Sequence, residues 1–310
     1  MKKIVIMPTF CESHLIKYQI PNIIDTINPD YIIYNEGLFP KSTEGNKEIT
    51  QEWLDKYTID GHRGFDFNEL EHIVYEAQLK YSNVKIILNK MEYTGLIDST
   101  DCYIAATTNF SDFGIDIQPG DFIFPYEPDV FHHENSKNEI ENYMSQLKED
   151  TGFRSNWIDF VENQYYVERT SLNNMTCRSR RICIKFGTWE FYISVLRKFM
   201  HEYDYNMLYP TDLITYHYCW WRPGKFKELR FDQLKRDSMY WQYYRQQLEK
   251  VHEAKYSNIK IRYNKHDQDS SAYIACTCDF DHPSHIKSHD CYITDNVYIN
   301  NIQNLMGINS

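Results

Sequence analysis

No apolar run in this chain approaches the roughly 20 residues that a membrane-spanning helix needs, so no membrane span is expected. An excess of positive charge is missing too. Against 44 Asp and Glu stand 33 Lys and Arg, a formal net charge of −11, whereas proteins that grip a phosphate backbone are usually basic. Three catalytic signatures are absent: the Gly-x-Ser-x-Gly elbow, a phosphate loop ending in Gly-Lys-Ser/Thr, and Gly-x-Gly-x-x-Gly after the first strand. Their absence argues against hydrolase, kinase-like and dinucleotide-dependent oxidoreductase chemistry. The start, MKKIVIMPTF, is too short and too strand-like for a signal peptide, and the eight scattered cysteines then read as reduced thiols. The expected location is the cytoplasm. Enrichment in Asn, Ile, Lys and Tyr is what an AT-rich genome encodes; for a viral genome the location would be the host cytoplasm.

What is present suits a globular protein of 310 residues, with 42% apolar and 16% aromatic residues. The aromatic share fits stacking on sugars or bases and fits an aromatic core equally well. Along the first half, strand and helix signals alternate. Lys3 to Met7, Asp30 to Tyr34, Val84 to Leu88 and Phe122 to Phe124 read as strands, and Glu12 to Ile24 as a helix interrupted by Pro21. Asp66-Phe67-Asn68-Glu69 and Ser136-Lys137-Asn138-Glu139 read as capping boxes opening further helices. A short helix is expected over 100–110, strands over Cys177 to Phe186 and Leu213 to His217, and a long helix from Asp237. Alternating strands and helices imply an α/β sheet covered on both faces, with ligands beyond the carboxyl ends of its strands.

The stretch GDFIFPYEPDVFHHE at 120–134 ends a strand in Glu127 and Asp129, two carboxylates spaced i, i+2. Such a pair is either solvated punctuation or a hold for a hard divalent cation, Mn²⁺ or Mg²⁺. Gly-Asp, an apolar strand, acid-x-Asp, an aromatic and then a polar helix start is a layout that resembles the acidic motif of GT-A fold glycosyltransferases, family 2 especially. Here Glu127 stands for the usual first Asp, Pro128 for the small residue and Val130 for the acid that often follows. A second segment, LITYHYCWWRPGKFKE at 213–228, is similar to the strand, His and aromatic-rich stretch of the same enzymes. The resemblance covers roughly residues 1–225.

That resemblance implies a GT-A-type Rossmann-like mixed sheet flanked by helices, over 1–230, with a mainly helical or irregular C-terminal extension over 231–310. It implies metal ligation by Asp129, Glu127 and His217, with Mn²⁺ or Mg²⁺ as cofactor. Donor contacts fall to Pro8, Thr9 and Glu36 at the sheet edge and to Arg222 and Lys225 on phosphate oxygens. The implied donor is a nucleoside-diphosphate sugar, a UDP-sugar foremost, and the acceptor a glycan hydroxyl or, less in keeping with the charge, a nucleic acid. An acceptor-side carboxylate would serve as base, and Glu190, in GTWEFY, is preferred over Glu162 and Glu168. The alternatives are a catalytically silent nucleotide- or sugar-binding protein of the same fold and a viral nucleic-acid-modifying glycosyltransferase.

Other stretches stay open between a site and ordinary surface. Arg63, in the glycine-flanked loop before the helix expected at Asp66, suits an anion or a nearby acid. The basic run Arg178, Arg180, Arg181 suits a phosphorylated acceptor or a solvated strand face. The tail offers Cys276, Cys278, His282, His285, His289 and Cys291, soft ligands that suit Zn²⁺ but with a spacing matching no closed module.

Overall fold

The computed structural model describes residues 1–37, 50–61, 63–91, 110–160, 166–168, 180–197, 206–210, 212–218, 221–236, 261–264, 271–276, 281–292 and 294. The helix expected over 100–110 falls outside them apart from residue 110, and the long helix expected from Asp237 lies wholly outside.

The chain opens with β1 (Lys3–Thr9), α1 (Ser13–Ile27) and β2 (Tyr31–Glu36), then α2 (Gln51–Tyr57), the two-residue strands β3 (Thr58–Ile59) and β4 (Arg63–Gly64), α3 (Phe67–Lys80) and β5 (Lys85–Lys90). Next come β6 (Phe122–Pro125), β7 (Val130–His132), α4 (Lys137–Gln146), β8 (Thr151–Asp159), β9 (Tyr166–Glu168) and β10 (Arg180–Lys185). The last elements are α5 (Trp189–Arg197), β11 (Met207–Leu208), β12 (Ile214–His217), α6 (Gly224–Arg236), β13 (Ile261–Asn264) and β14 (Ser271–Cys276).

A nine-stranded sheet organises the molecule, in the order β5-β2-β1-β6-β10-β8-β12-β7 with β11 alongside β8. The first four of these are parallel. Their order, third strand, second, first, fourth, is that of a Rossmann-like half, whose switch point lies between β1 and β6. Beyond β6 the sheet is mixed: β10 runs antiparallel to β6 and to β8, β12 parallel to β8, and β7 antiparallel to β12. The carboxyl ends of β1, β2, β5, β6, β8 and β12 therefore share one edge, while β10 ends at the other.

Strand periodicity divides the core between the two faces. On β1, Val5 and Met7 pack with Ile16, Ile20 and Ile23 of α1, Leu70 and Val74 of α3 and Ile140 of α4. Ile4 and Ile6 turn the other way, to Ile33, Ile123, Ile184 and Tyr192 and Val195 of α5. Both faces being covered, these strands read as continuous apolar runs rather than as alternation. The sheet's far half was harder to foresee, because β8 (TGFRSNWID) mixes Arg154, Ser155 and Asn156 into its buried positions.

The helices expected after Asp66 and Ser136 form, but neither expected capping box does: neither side chain makes a cap hydrogen bond. The Asp66 carboxylate instead accepts the backbone N–H of Ser13 at 2.7 Å, tying the start of α3 to the start of α1. The 3₁₀ turn Ser284–Ser288 packs on α1, with Ile286 buried beside Leu15, Phe131 and Trp221.

Candidate metal and anion site

Glu127 and Asp129 sit where β6 turns back into β7. Val130 N–H donates to Glu127 O at 3.2 Å, closing a four-residue turn with Pro128 at its second position, where the fixed proline φ suits the turn. Gln19 of α1 holds the turn from beneath, its Nε2 donating to Glu127 O at 2.5 Å and to Val130 O at 3.2 Å. Asn22, one helical turn on, exchanges hydrogen bonds with the backbone of His132. From the other side, Tyr218 N–H donates to Asp129 O at 2.8 Å. Pairing of β7 with β12 sets Val130 opposite His217, so His217 ends its strand beside Asp129. The His217 ring rests 4.5 Å from that of Trp157.

The three ligand atoms of Glu127, Asp129 and His217 lie within 4.8 Å of one another, the sole such group of three or more among the described residues. His217 Nε2 stands 3.3 Å from Asp129 Oδ1 and 3.8 Å from Glu127 Oε2. Two hard carboxylate oxygens on a turn braced from two sides and a borderline imidazole nitrogen at the end of β12 form a donor set that fits Mn²⁺ or Mg²⁺.

A cation of the protein's own already leans on this cluster. Arg222 Nη2 lies 3.4 Å from Asp129 Oδ2, and its Nη1 donates at 2.8 Å to Oε2 of Glu12, in the loop after β1. Burial pushes the Glu12 carboxyl up to about 7, aided by the Asp129 charge and opposed by Arg222. Burial also works against ionised Asp129, but His217 and Arg222 outweigh it and hold this carboxyl well below the usual range. Asp129 is therefore a carboxylate at any physiological pH. Glu12 is the residue that the sequence reading missed: it looked like the first residue of a helix, and its tie to Arg222 spans 210 positions.

Thr9 and Glu36 end β1 and β2 at the same edge, but Glu36 is fully buried and engaged. It accepts from Thr9 Oγ1 at 2.9 Å and from Gly64 N–H at 3.1 Å. Burial lifts its carboxyl to about 8, with Asp66 adding to the rise. In this conformation Glu36 braces the edge rather than facing a ligand. Pro8 stands one position earlier on β1, half-buried. Arg63 donates to the carbonyls of Glu36 and Met91, so in this conformation it ties together the ends of β2 and β5. Lys225 opens α6 with its ammonium 4.5 Å from the Phe65 ring centroid.

Gly64 belongs to this brace. A Cβ there would stand 2.7 Å from Cys11 Sγ and 2.9 Å from Asp66 Oδ1. Gly64→Ala should cost about 1–3 kcal/mol by overpacking, read as a lowered urea midpoint with an unchanged slope.

Glu190 is not brought to the cluster. It lies exposed in the first turn of α5, just past β10, and β10 runs antiparallel to its neighbours, so Glu190 stands at the opposite edge of the sheet. Arg180 begins β10 and so has its backbone toward the cluster's edge; Arg178 and Glu162 lie outside the described residues. The tail histidines turn to separate partners: His282 to Tyr218, His285 to Asp25, and His289 to the backbone of Cys291. Among the described residues they form no shared metal group.

No protein-family model matches the chain, and no curated protein matches it. Two solved structures show a distant likeness. The nucleoside-diphosphate-sugar pyrophosphorylase from Vibrio cholerae is 10% identical, with 75% of this chain and 99% of that one covered and a TM-score of 0.32. The mannose-1-phosphate geranyltransferase from Thermus thermophilus is 8% identical, with 81% and 64% covered and a TM-score of 0.27. Likeness this low does not bear on chemistry, and the fold rests on the strand order itself.

Proposed function

We propose that this chain is a metal-assisted glycosyltransferase that takes a sugar from a nucleoside-diphosphate donor. The observation that supports this most is the convergence of Glu127, Asp129 and His217 beside the β1/β6 switch point, the place where open α/β sheets take their ligands. Glu127, Asp129 and His217 would hold a divalent cation, which would supply Lewis acidity to the diphosphate leaving group. The chain's own residues do the rest. Arg222 holds Asp129 in place from the side facing Glu12 and offers a guanidinium to phosphate oxygens. Trp157 shields one face of His217, and the Gln19 and Tyr218 contacts fix the turn so that the carboxylates need little reorganisation on binding.

A panel of nucleotide sugars assayed for donor hydrolysis and transfer with Mn²⁺ tests this reading. One cognate donor should turn over, and Asp129→Asn should cut turnover at least about a hundredfold, the scale of losing several kcal/mol of charge stabilisation. Unchanged turnover in a folded Asp129→Asn protein would refute the reading. A second reading, a silent nucleotide-sugar-binding protein, is favoured by one feature: Asp129 is already ion-paired to both His217 and Arg222, and a cation must compete with them. Donor binding without turnover under every acceptor tried would select it.

A further inference from the structure

Beside the acidic cluster, in the first turn of α1, lies a histidine to which no role has been given. His14 is 4% exposed, and neither ring nitrogen has a hydrogen-bond partner. Other buried histidines here differ: His132 Nδ1 lies 3.3 Å from Ile214 O, and His282 Nδ1 2.7 Å from Tyr218 Oη. A buried imidazole that forgoes both hydrogen bonds costs stability, and such groups in native structures usually mark a missing partner. The ring centroid lies 4.1 Å from that of Phe226 of α6, tilted by 35°, and 5.9 Å from that of His289, so packing holds the ring and leaves the nitrogens as its unsatisfied part.

Its setting points to the missing partner's charge. Side chains in the first turn of a helix lean toward the N-terminus, which for α1 is the carboxyl edge of β1. The charges of Arg222 and Asp129 both act on the ring, as do those of Lys17 and His289. Burial, with Arg222, holds the imidazole neutral, so it presents one N–H donor and one acceptor. The start of α1 adds the positive end of a 15-residue helix. A donor N–H, a guanidinium and a helix N-terminus together suit an anionic oxygen, and on the function proposed above that oxygen belongs to a phosphate.

We propose that His14 is a phosphate-binding residue of the donor site, donating a ring N–H to a diphosphate oxygen alongside Arg222. This rests on the reading of the edge as a nucleotide-sugar site, and the test separates the two. The probes are inorganic pyrophosphate, UDP and uridine, each titrated in the presence of Mn²⁺ into the full-length wild type, His14→Phe and Asp129→Asn. His14→Phe keeps a ring against Phe226 and deletes both nitrogens. Losing one hydrogen bond to a charged group should weaken pyrophosphate and UDP about tenfold or more and leave uridine unchanged. Equal pyrophosphate affinity in wild type and folded His14→Phe overturns the His14 assignment while a loss in Asp129→Asn keeps the metal site. No pyrophosphate or UDP binding by the wild type overturns both. Should His14→Phe fail to fold, nitrogen-15 imidazole spectra of the wild type decide. The His14 ring nitrogens should shift when pyrophosphate is added, and ring signals unmoved at saturation overturn the proposal.

Discussion

Replacing Arg222 by methionine should lower the stability of the protein by about 3–5 kcal/mol at neutral pH, the usual result of removing one partner from a buried charged group. Methionine keeps much of the aliphatic stem, so the loss falls on the charge. Glu12 and Asp129, which Arg222 joins at 2.8 and 3.4 Å, would lose the guanidinium that bridges them. Two consequences separate this from a simple packing defect. Adding Glu12→Gln should recover part of the loss, because Glu12, already raised to about 7 with Arg222 beside it, must otherwise take up a proton to stay buried without that cation. Mn²⁺ should also raise the melting temperature of Arg222→Met more than that of wild type, since the ion replaces the positive charge beside Asp129. Urea unfolding of the three proteins with and without Mn²⁺ gives the answer. A loss below about 1 kcal/mol, or strict additivity of the two substitutions, would contradict the arrangement.

A second large effect follows from Glu36. Its carboxyl titrates at about 8 in the folded protein, raised from an ordinary value near 4.5 because it is fully buried, with Asp66 adding to the rise. The folded state therefore binds a proton that the unfolded chain has released between these two values. Stability from this group is full below about 4.5 and is lost as pH rises toward 8, at about 1.4 kcal/mol per pH unit. His132 and His289 act oppositely, their imidazoles lowered by burial to about 4, so their contribution rises with pH and is complete by about 6.5. Glu12, raised to about 7, adds to the decline up to that value, so between about pH 7 and 8 the Glu36 slope should dominate, a decline of roughly 1.4 kcal/mol. Glu36→Gln should flatten it, since a neutral amide can donate to Thr9 Oγ1 and still accept from Gly64 N–H. Denaturant curves at several pH values in this window would show the difference. Parallel declines in wild type and Glu36→Gln would show that Glu36 is not the cause.

Much of the fold was legible from local pattern. The apolar runs of β1, β2 and β6 are continuous because both their faces are covered, and that is a signal a short window can read. The mixed half was not: β8 hides Arg154 and Asn156 among its buried residues, and β7 is three residues long. The candidate site divides in the same way. Asp129, Glu127 and His217 lie in two recognisable segments, and strand pairing brings these together. Glu12 and His14 carry no local signal, since their neighbours Arg222, Phe226 and His289 are set by tertiary structure over 200 positions away. Glu190 failed for a topological reason. Its sequence context suited a base, but the antiparallel direction of β10 carries it to the far edge.

Direct titration of Mn²⁺ into the metal-free protein tests the central claim most simply, followed by the free-ion electron paramagnetic resonance signal. The wild type should remove about one Mn²⁺ per chain from solution. Asp129→Asn should lose that binding, since it removes the charge of the more buried of the two carboxylate ligands. A wild type that leaves the Mn²⁺ signal untouched, or an Asp129→Asn protein that binds as tightly as the wild type, would contradict a metal site at Glu127, Asp129 and His217.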